Sequence, residues 1–194
     1  MPQFYAAAPF TRFSLILKTR KQICLQIVLL ALLSISALPQ SVPGTEWDAL
    51  RALEGKWVGE GSSELGQGSG YFTLEPDLQG KVWVRRNHSE YPAGKERPAY
   101  THEDLMIVYF DSAAKRTRAF YQDTEGHTIQ YAVTAAGHDI IFLSDPQPGA
   151  PRFRLTYSAT DPAHMTVALE MAQPGKPDDF HKIVEGKVRK VTPY

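Results

Sequence analysis

The stretch LEGKWVGEG, Leu53–Gly61, sets one tryptophan among three glycines at the start of a predicted strand. Glycine weakens the interior of a strand, but it allows sharp bends and close approaches of the backbone. We interpret Trp57 as a plug at the floor of a β-barrel, with Gly55 permitting the tight turn of the chain before it. Gly59 and Gly61 then allow the first strand to bend at a barrel corner. The stretch therefore predicts a barrel that is closed at one end.

The segment upstream, residues 1–37, has the order of a secretory signal. It contains four basic residues and no acidic residue before the end of the apolar run ICLQIVLLALLSISA. This run is shorter than the roughly 20 apolar residues that a membrane-spanning helix needs, and it ends in small residues. We predict a signal peptide over 1–37, cleavage near Ser36–Ser41, a linker over 38–44 and an exported domain, periplasmic or secreted, over 45–194. An uncleaved N-terminal anchor is the alternative.

The composition of the chain after residue 37 excludes several classes of protein. It contains no cysteine, so a disulfide scaffold and cysteine-based metal or thiol chemistry are excluded. It holds 17 basic and 21 acidic residues, so no nucleic-acid partner is predicted. After cleavage of the signal, no membrane association is expected. About 157 residues are enough for one domain with a full core.

Alternation of apolar and polar residues predicts a short helix followed by an all-β domain. The helix, Thr45–Leu53, places Trp47, Leu50 and Leu53 on one face, and Thr45 can cap it. Ten antiparallel strands follow: Lys56–Ser63, Ser69–Glu75, Lys81–Tyr91, Leu105–Asp111, Arg116–Gln122, Thr128–Thr134, Asp139–Ser144, Phe153–Thr160, Met165–Met171 and Phe180–Val191. Short turns make these strands a meander, and a meander avoids exposed edges by closing into a barrel.

The same alternation assigns the side chains that face the barrel interior. On three strands the aromatic and aliphatic residues share one face, which we expect to point inward: Ile129, Tyr131 and Val133; Phe153, Leu155 and Tyr157; and Met165, Val167, Leu169 and Met171. A barrel of this size has either a packed interior or room for one small ligand.

The stretch KVWVRRNHSEY, Lys81–Tyr91, is the densest polar cluster of the sequence. Arg86, His88 and Glu90 share a face with two valines. If the valine face is interior, these side chains line the cavity or its mouth, where Arg86 anchors a ligand or pairs with Glu90 or Glu75. His88 beside a carboxylate also fits a general base. No G-x-S-x-G or H-E-x-x-H motif accompanies it, so a binding protein is favoured over an enzyme.

The sequence resembles the calycin-like, or lipocalin-like, barrels of the nitrobindin type and their bacterial relatives, many of unknown function. The resemblance rests on the stretch Leu53–Gly61, the number of strands and the ending GKVRKVTPY. Nitrobindins bind haem through a histidine of the last strand, and the resemblance places that position at Ile183, which cannot ligate iron. His181 lies two residues earlier on the same face, which keeps a haem protein as an alternative. The resemblance implies that His181 and Ile183 point inward.

By analogy with related barrels, a basic residue of the last strand, Arg189 or Lys190, should cover the ring of Trp57. Gly55, Trp57 and Arg189 are therefore the predicted structural floor.

Three classes of function remain open. The first is an exported protein whose barrel binds a small apolar or amphipathic molecule. The second is an enzyme or haem protein that uses His181 or His88, and the third is a filled barrel that serves an interaction in the cell envelope. We predict no catalytic residue, no metal ligand and no cofactor other than the haem alternative. The predicted ligand-binding residues are Arg86, His88, Glu90, Tyr131, Tyr157 and His181.

Overall fold

The computed structural model of the protein describes residues 44–60, 69–94 and 98–191. Several predicted features lie outside these ranges: the signal peptide, its cleavage site, residues 38–43 of the linker, and residues 61–63 of the first strand, which include Gly61. None of the helical residues within them forms a helix that is both long enough and apolar enough to cross a membrane.

Within the described residues the chain forms one helix and ten strands. Helix α1 is Thr45–Ala52. The strands are β1 Gly55–Glu60, β2 Ser69–Asp77, β3 Val82–Tyr91, β4 Tyr100–Asp111, β5 Arg116–Asp123, β6 Thr128–Ala136, β7 Asp139–Ser144, β8 Arg152–Asp161, β9 His164–Ala172 and β10 Phe180–Val191. Each strand pairs antiparallel with its neighbour in sequence, and β1 pairs with β10, which closes the barrel. The predicted fold, an antiparallel meander closed into a barrel with a short helix before it, is confirmed.

Most strand boundaries differ from the prediction by one to three residues, and two differences at the starts of elements have a clear physical reason. Strand β4 begins at Tyr100 instead of Leu105, because its first residues pair with the end of β3 although polar side chains interrupt the apolar pattern. Helix α1 begins directly after Gly44, its N-cap, without a side-chain capping bond. Thr45 is therefore the first residue of the helix and not its cap.

Helix α1 and Trp57 close one end of the barrel. Trp47 and Leu50 of the helix and Leu53, its C-cap, are buried and share the face that helical spacing predicts. Trp57 is 1% exposed, and its indole Nε1 donates a hydrogen bond to the Leu53 carbonyl oxygen at 2.8 Å. Gly55, which precedes it, has a φ of +116°, a conformation that residues with a Cβ rarely adopt. The chain can therefore turn sharply from the helix into β1.

Lys190, not Arg189, covers the ring of Trp57. The Lys190 Nζ lies 5.5 Å from the ring centroid of Trp57, which is directly opposite Lys190 in the ladder between β1 and β10. Residues opposite one another on paired strands share a face, so Arg189 points the other way. It is exposed and lies 4.0 Å from Glu60. The placement of Arg189 in the floor is thus wrong by one residue.

The face of β10 that points inward changes at a β-bulge. Lys182 pairs with Glu170 and Val184 pairs with Leu169, so Ile183 is an extra residue in the ladder. Beyond the bulge, Val184, Gly186 and Val188 lie opposite Leu169, Val167 and Met165 and share their inward orientation. The side chains of Glu185, Lys187 and Arg189 are exposed. The predicted inward face is therefore wrong beyond the bulge, for Glu185, Lys187 and Arg189, because strict alternation does not hold across it. Before the bulge, His181 lies opposite Met171 on the inward side of the ladder.

Candidate functional site

The barrel interior holds a cavity of about 1080 Å³. The cavity lies above the floor and reaches the opposite end of the barrel, where the β5–β6 and β7–β8 connections border its mouth. The barrel is therefore hollow, and this contradicts the alternative of a filled barrel.

Most of the cavity wall is apolar. The main apolar side chains that line it are Phe72, Ile129, Tyr131, Phe153, Leu155, Val167, Leu169, Val184 and Val188. The inward faces predicted for β6, β8 and β9 are confirmed by this lining and by the burial of Val133 and Met165. Tyr157 lies deeper, where its ring packs edge-on against Phe72 and Phe142. Tyr131 is thus part of the cavity wall, and Tyr157 belongs to the core beneath it.

The inward face of β3 is the opposite of the predicted one. Trp83 is 2% exposed and packs against Trp47 of the helix, with the two ring centroids 6.3 Å apart. Because Trp83 points inward, alternation turns Arg85, Asn87 and Ser89 inward as well, and all three line the cavity. In this orientation the large indole of Trp83 is buried, and Val82 and Val84 remain half-buried on the other face.

Arg86, His88 and Glu90 consequently lie on the outer surface of the barrel. The imidazole of His88 stacks on Tyr71, with a centroid distance of 5.4 Å. Its two nitrogens lie 3.1 Å from carboxylate oxygens of Glu90 and Glu103, and these hydrogen bonds raise the pKa of His88. The prediction that these three residues line the cavity is wrong.

Arg85 and Asp104 form an ion pair inside the barrel. The Arg85 guanidinium donates a hydrogen bond to Asp104, and the side chains are 9% and 4% exposed. The guanidinium also lies over the ring of Phe72, 5.3 Å from its centroid. A buried arginine is tolerated only when it is paired, and Asp104 supplies that partner from the neighbouring strand.

A second polar group continues from this ion pair toward the mouth. His102 Nε2 lies 3.3 Å from Asp104 Oδ2, and His102 Nδ1 lies 2.9 Å from Glu125 Oε2. The hydrogen bond to Asp104 raises the pKa of His102 to about 9, so its imidazole is a cation at neutral pH. The partnership with His102 also lowers the pKa of Glu125, although burial works against ionisation.

Tyr121 and Asp123 complete the polar side of the cavity. The Tyr121 hydroxyl donates to Asp123 Oδ2 at 3.1 Å, and burial raises the pKa of Tyr121, so the hydroxyl stays neutral. Asp123 accepts two further bonds from His127, from its backbone nitrogen and its Nδ1, each at 2.8 Å. These bonds lower the pKa of Asp123 against the effect of its burial. The polar groups therefore converge on the part of the wall formed by β3, β4 and β5.

Sequence reasoning missed this part of the wall for an identifiable reason. His102 and Asp104 alternate on one face, but they lie in a stretch that was assigned to a loop. Asp123 and Glu125 flank a hairpin turn, where charged residues are ordinarily solvated.

The residues that the resemblance suggests for haem do not fit a haem site. His181 is 72% exposed, and its Nε2 lies 3.3 Å from Asp179 at the rim of the barrel. Ile183 is the bulge residue and has no atom that can ligate iron. His88 lies on the outer surface, so none of these residues offers an axial ligand to the interior.

The sequence matches no protein-family model, and no curated protein is significantly similar to it. The resemblance to nitrobindins accordingly stays a prediction. Evidence on function comes from the geometry of the barrel.

Proposed function

We propose that the protein binds a small, mainly apolar molecule inside the barrel. The observation that carries this proposal is the cavity of about 1080 Å³, whose wall is mainly apolar and includes a hydrogen-bonded group of polar side chains on β3, β4 and β5. Small-molecule sites in proteins have this combination, a largely preformed concave apolar surface with a few converging polar groups.

The polar groups favour a ligand with an uncharged hydrogen-bonding end. Arg85 and Asp104 neutralise one another, and His102 faces both Asp123 and Glu125. A carboxylate on the ligand would meet these acidic side chains at the mouth and be repelled. A hydroxyl, carbonyl or amide group could instead bind Asn87 and the Tyr121 hydroxyl, both of which line the cavity. The expected ligand is thus amphipathic and neutral.

We also propose that the protein is exported, on the basis of the order of basic, apolar and small residues in 1–37. When the complete chain is expressed in a bacterial host, N-terminal sequencing of the protein outside the cytoplasm should find a start between Leu38 and Val42. Exported protein that begins at Met1 would rule out a cleaved signal.

Ligand binding can be tested with N-phenyl-1-naphthylamine, a neutral amphipathic molecule whose fluorescence rises in apolar surroundings. We expect the purified protein to bind it at micromolar concentration. The variant Val167→Trp puts a large ring into the cavity and should weaken binding at least tenfold, or about 1.4 kcal/mol. Mass spectrometry of an organic extract of the protein would identify the natural ligand.

The neighbouring variant Ala168→Trp is the matched control. Ala168 lies on the same strand with the opposite orientation, so the same ring is added outside the cavity. Binding should then equal that of the wild type. Equal binding by both tryptophan variants would place the probe outside the barrel and contradict the proposal, as would the absence of binding to the wild type.

A further inference from the structure

We propose that His102, Asp123 and Glu125 form a binding site for a divalent transition-metal ion such as Zn²⁺. Each residue offers one ligand atom, an imidazole nitrogen or a carboxylate oxygen, and these atoms all lie within 4.8 Å of one another. Zinc lies about 2.0–2.2 Å from nitrogen and oxygen ligands, so ligand atoms around it are roughly 3.3 Å apart. Small rotations of the three side chains would bring the atoms to that separation.

The imidazole of His102 is already oriented for coordination. Its Nδ1 faces Glu125, while its Nε2 lies 3.3 Å from Asp104 Oδ2. A metal-bound histidine ordinarily donates its other N–H to a carboxylate in this manner, which fixes the ring. The ion would take the place of the proton on Nδ1, which is released to solvent as the ion binds. Asp104 is itself held by Arg85 and is 4% exposed. Asp104 is therefore a positioning residue, and it is not one of the ligands.

Asp123 is also fixed before any ion binds. Its side chain is 5% exposed, and it accepts hydrogen bonds from His127 and from the Tyr121 hydroxyl. Asp123 and Glu125 together bring two negative charges next to one imidazole. A divalent ion would offset both charges at a place where one of the carboxylates is removed from water.

The arrangement leaves coordination positions open toward the cavity. All three residues line the cavity at its mouth, so an ion can reach them from solvent. Zinc sites with three protein ligands keep a further position for water or for a donor atom of a bound molecule. The single nitrogen donor favours transition-metal ions over Mg²⁺ and Ca²⁺, which prefer oxygen ligands alone. An ion at this site would therefore offer its open coordination position to a molecule bound at the mouth of the cavity.

Titration with Zn²⁺ alone, followed by calorimetry, tests the site independently of any cavity ligand. Protein freed of metal by a chelator should bind one Zn²⁺ per chain at this site. The variants His102→Gln and Glu125→Gln should each weaken binding about 100-fold, because each removes a ligand. Glu125 is 39% exposed on a turn, so its variant keeps the fold even if the His102 variant does not. With Co²⁺ as the probe, the visible absorption of the bound ion should disappear in both variants.

His88→Gln is the matched control, because His88 also lies within 3.1 Å of two glutamates, Glu90 and Glu103. Those carboxylates approach different nitrogens of the ring and cannot hold one ion together with it, so Zn²⁺ binding should be unchanged. The proposal is overturned if the wild type binds no Zn²⁺. It is equally overturned if Glu125→Gln binds Zn²⁺ as the wild type does, or if His88→Gln is the variant that loses binding.

Discussion

Trp57 joins the helix to the barrel through two different interactions. Its ring is fully buried and stacks parallel to Phe72, with centroids 6.3 Å apart, while its indole N–H binds the Leu53 carbonyl. The buried ring contributes hydrophobic and packing energy, and the hydrogen bond satisfies a carbonyl at the C-terminal end of α1. One residue therefore fixes both the floor and the position of the helix.

Replacing Trp57 should reduce the free energy of unfolding substantially. Trp57→Ala leaves a cavity in the floor and should cost about 3–5 kcal/mol, measured by urea unfolding. Trp57→Phe keeps much of the packing and should cost less. Tyr71→Ala is the control on the adjoining strand, since Tyr71 is 40% exposed on the outer surface, and it should cost no more than about 1 kcal/mol. Similar losses for Trp57→Ala and Tyr71→Ala would contradict the role given to Trp57.

Strands β2 and β3 approach so closely at Gly70 that no side chain fits there. A Cβ at this position would lie 2.5 Å from the backbone oxygen of His88. Gly186 in β10 also faces the cavity, but a Cβ there would meet no atom within 4 Å. The two strand glycines therefore have different physical reasons for their presence.

Alanine substitutions should separate these two glycines. Gly70→Ala forces the paired backbones apart and should lower the free energy of unfolding by about 1–3 kcal/mol. Gly186→Ala should be neutral or raise it by about 0.4–1 kcal/mol, because alanine restricts the unfolded chain. Thermal unfolding of the two variants side by side is the measurement. A larger loss for Gly186→Ala would show that the strand separation at Gly70 is misjudged.

On the outer face of β8 and β9, Arg154 and Glu170 form a two-point ion pair. Arg154 Nε donates to Glu170 Oε2 at 2.6 Å, and Arg154 Nη2 donates to Glu170 Oε1 at 2.9 Å. This partner lowers the pKa of Glu170, whose side chain is 19% exposed. The carboxylate therefore binds a proton less readily in the folded protein than in the unfolded chain.

The ion pair should contribute stability only above a certain pH. Because the pKa is lower in the folded state, the contribution is complete above the unfolded pKa of about 4.3 and is lost as the pH falls through the folded value. Glu170→Gln should lower the free energy of unfolding at pH 7 and flatten its decline below about pH 4.3. Glu185→Gln, which removes an exposed pair with Lys182, should change neither. An unaltered acid profile in Glu170→Gln would contradict this account.

The barrel as a whole depends on contacts between its first and last strands. Strand β1 pairs with β10 through five residue pairs, from Lys56 opposite Val191 to Glu60 opposite Lys187. Without these pairs, β1 and the rest of β10 would each present an open edge. Because the paired strands are far apart in sequence, closure has a large loop entropy cost and should make folding slow.

A chain that ends at Gly186 should therefore fail to close. We expect it to lose cooperative urea unfolding and to self-associate in size-exclusion chromatography, since its unpaired edges are open to other chains. A chain that ends at Val191 keeps every described pair between β1 and β10 and should unfold like the complete domain. Cooperative unfolding of a monomeric chain ending at Gly186 would mean that closure is not required.

The strand count, the meander and the closed barrel were predictable because they depend on local chemistry. Most strands can be recognised from the alternation of apolar and polar residues within them. Short turns allow each strand to pair only with the strand next to it in sequence. Trp57 and Gly55 at the floor, and the inward faces of β6, β8 and β9, followed from the same local signals. One face of each of those three strands is clearly the more apolar.

The orientation of β3 and β10 was decided only by the tertiary structure. Both strands carry charged residues on each face, so the alternation of residues does not show which face points into the barrel. In β10 an extra residue at Ile183 reverses the alternation partway along the strand. In β3 an inward arginine becomes acceptable because Asp104, 19 residues away in sequence, lies beside it in the folded barrel. A charge can be placed inside a core only when its partner is known, and the partner is fixed by the strand pairing of the whole barrel.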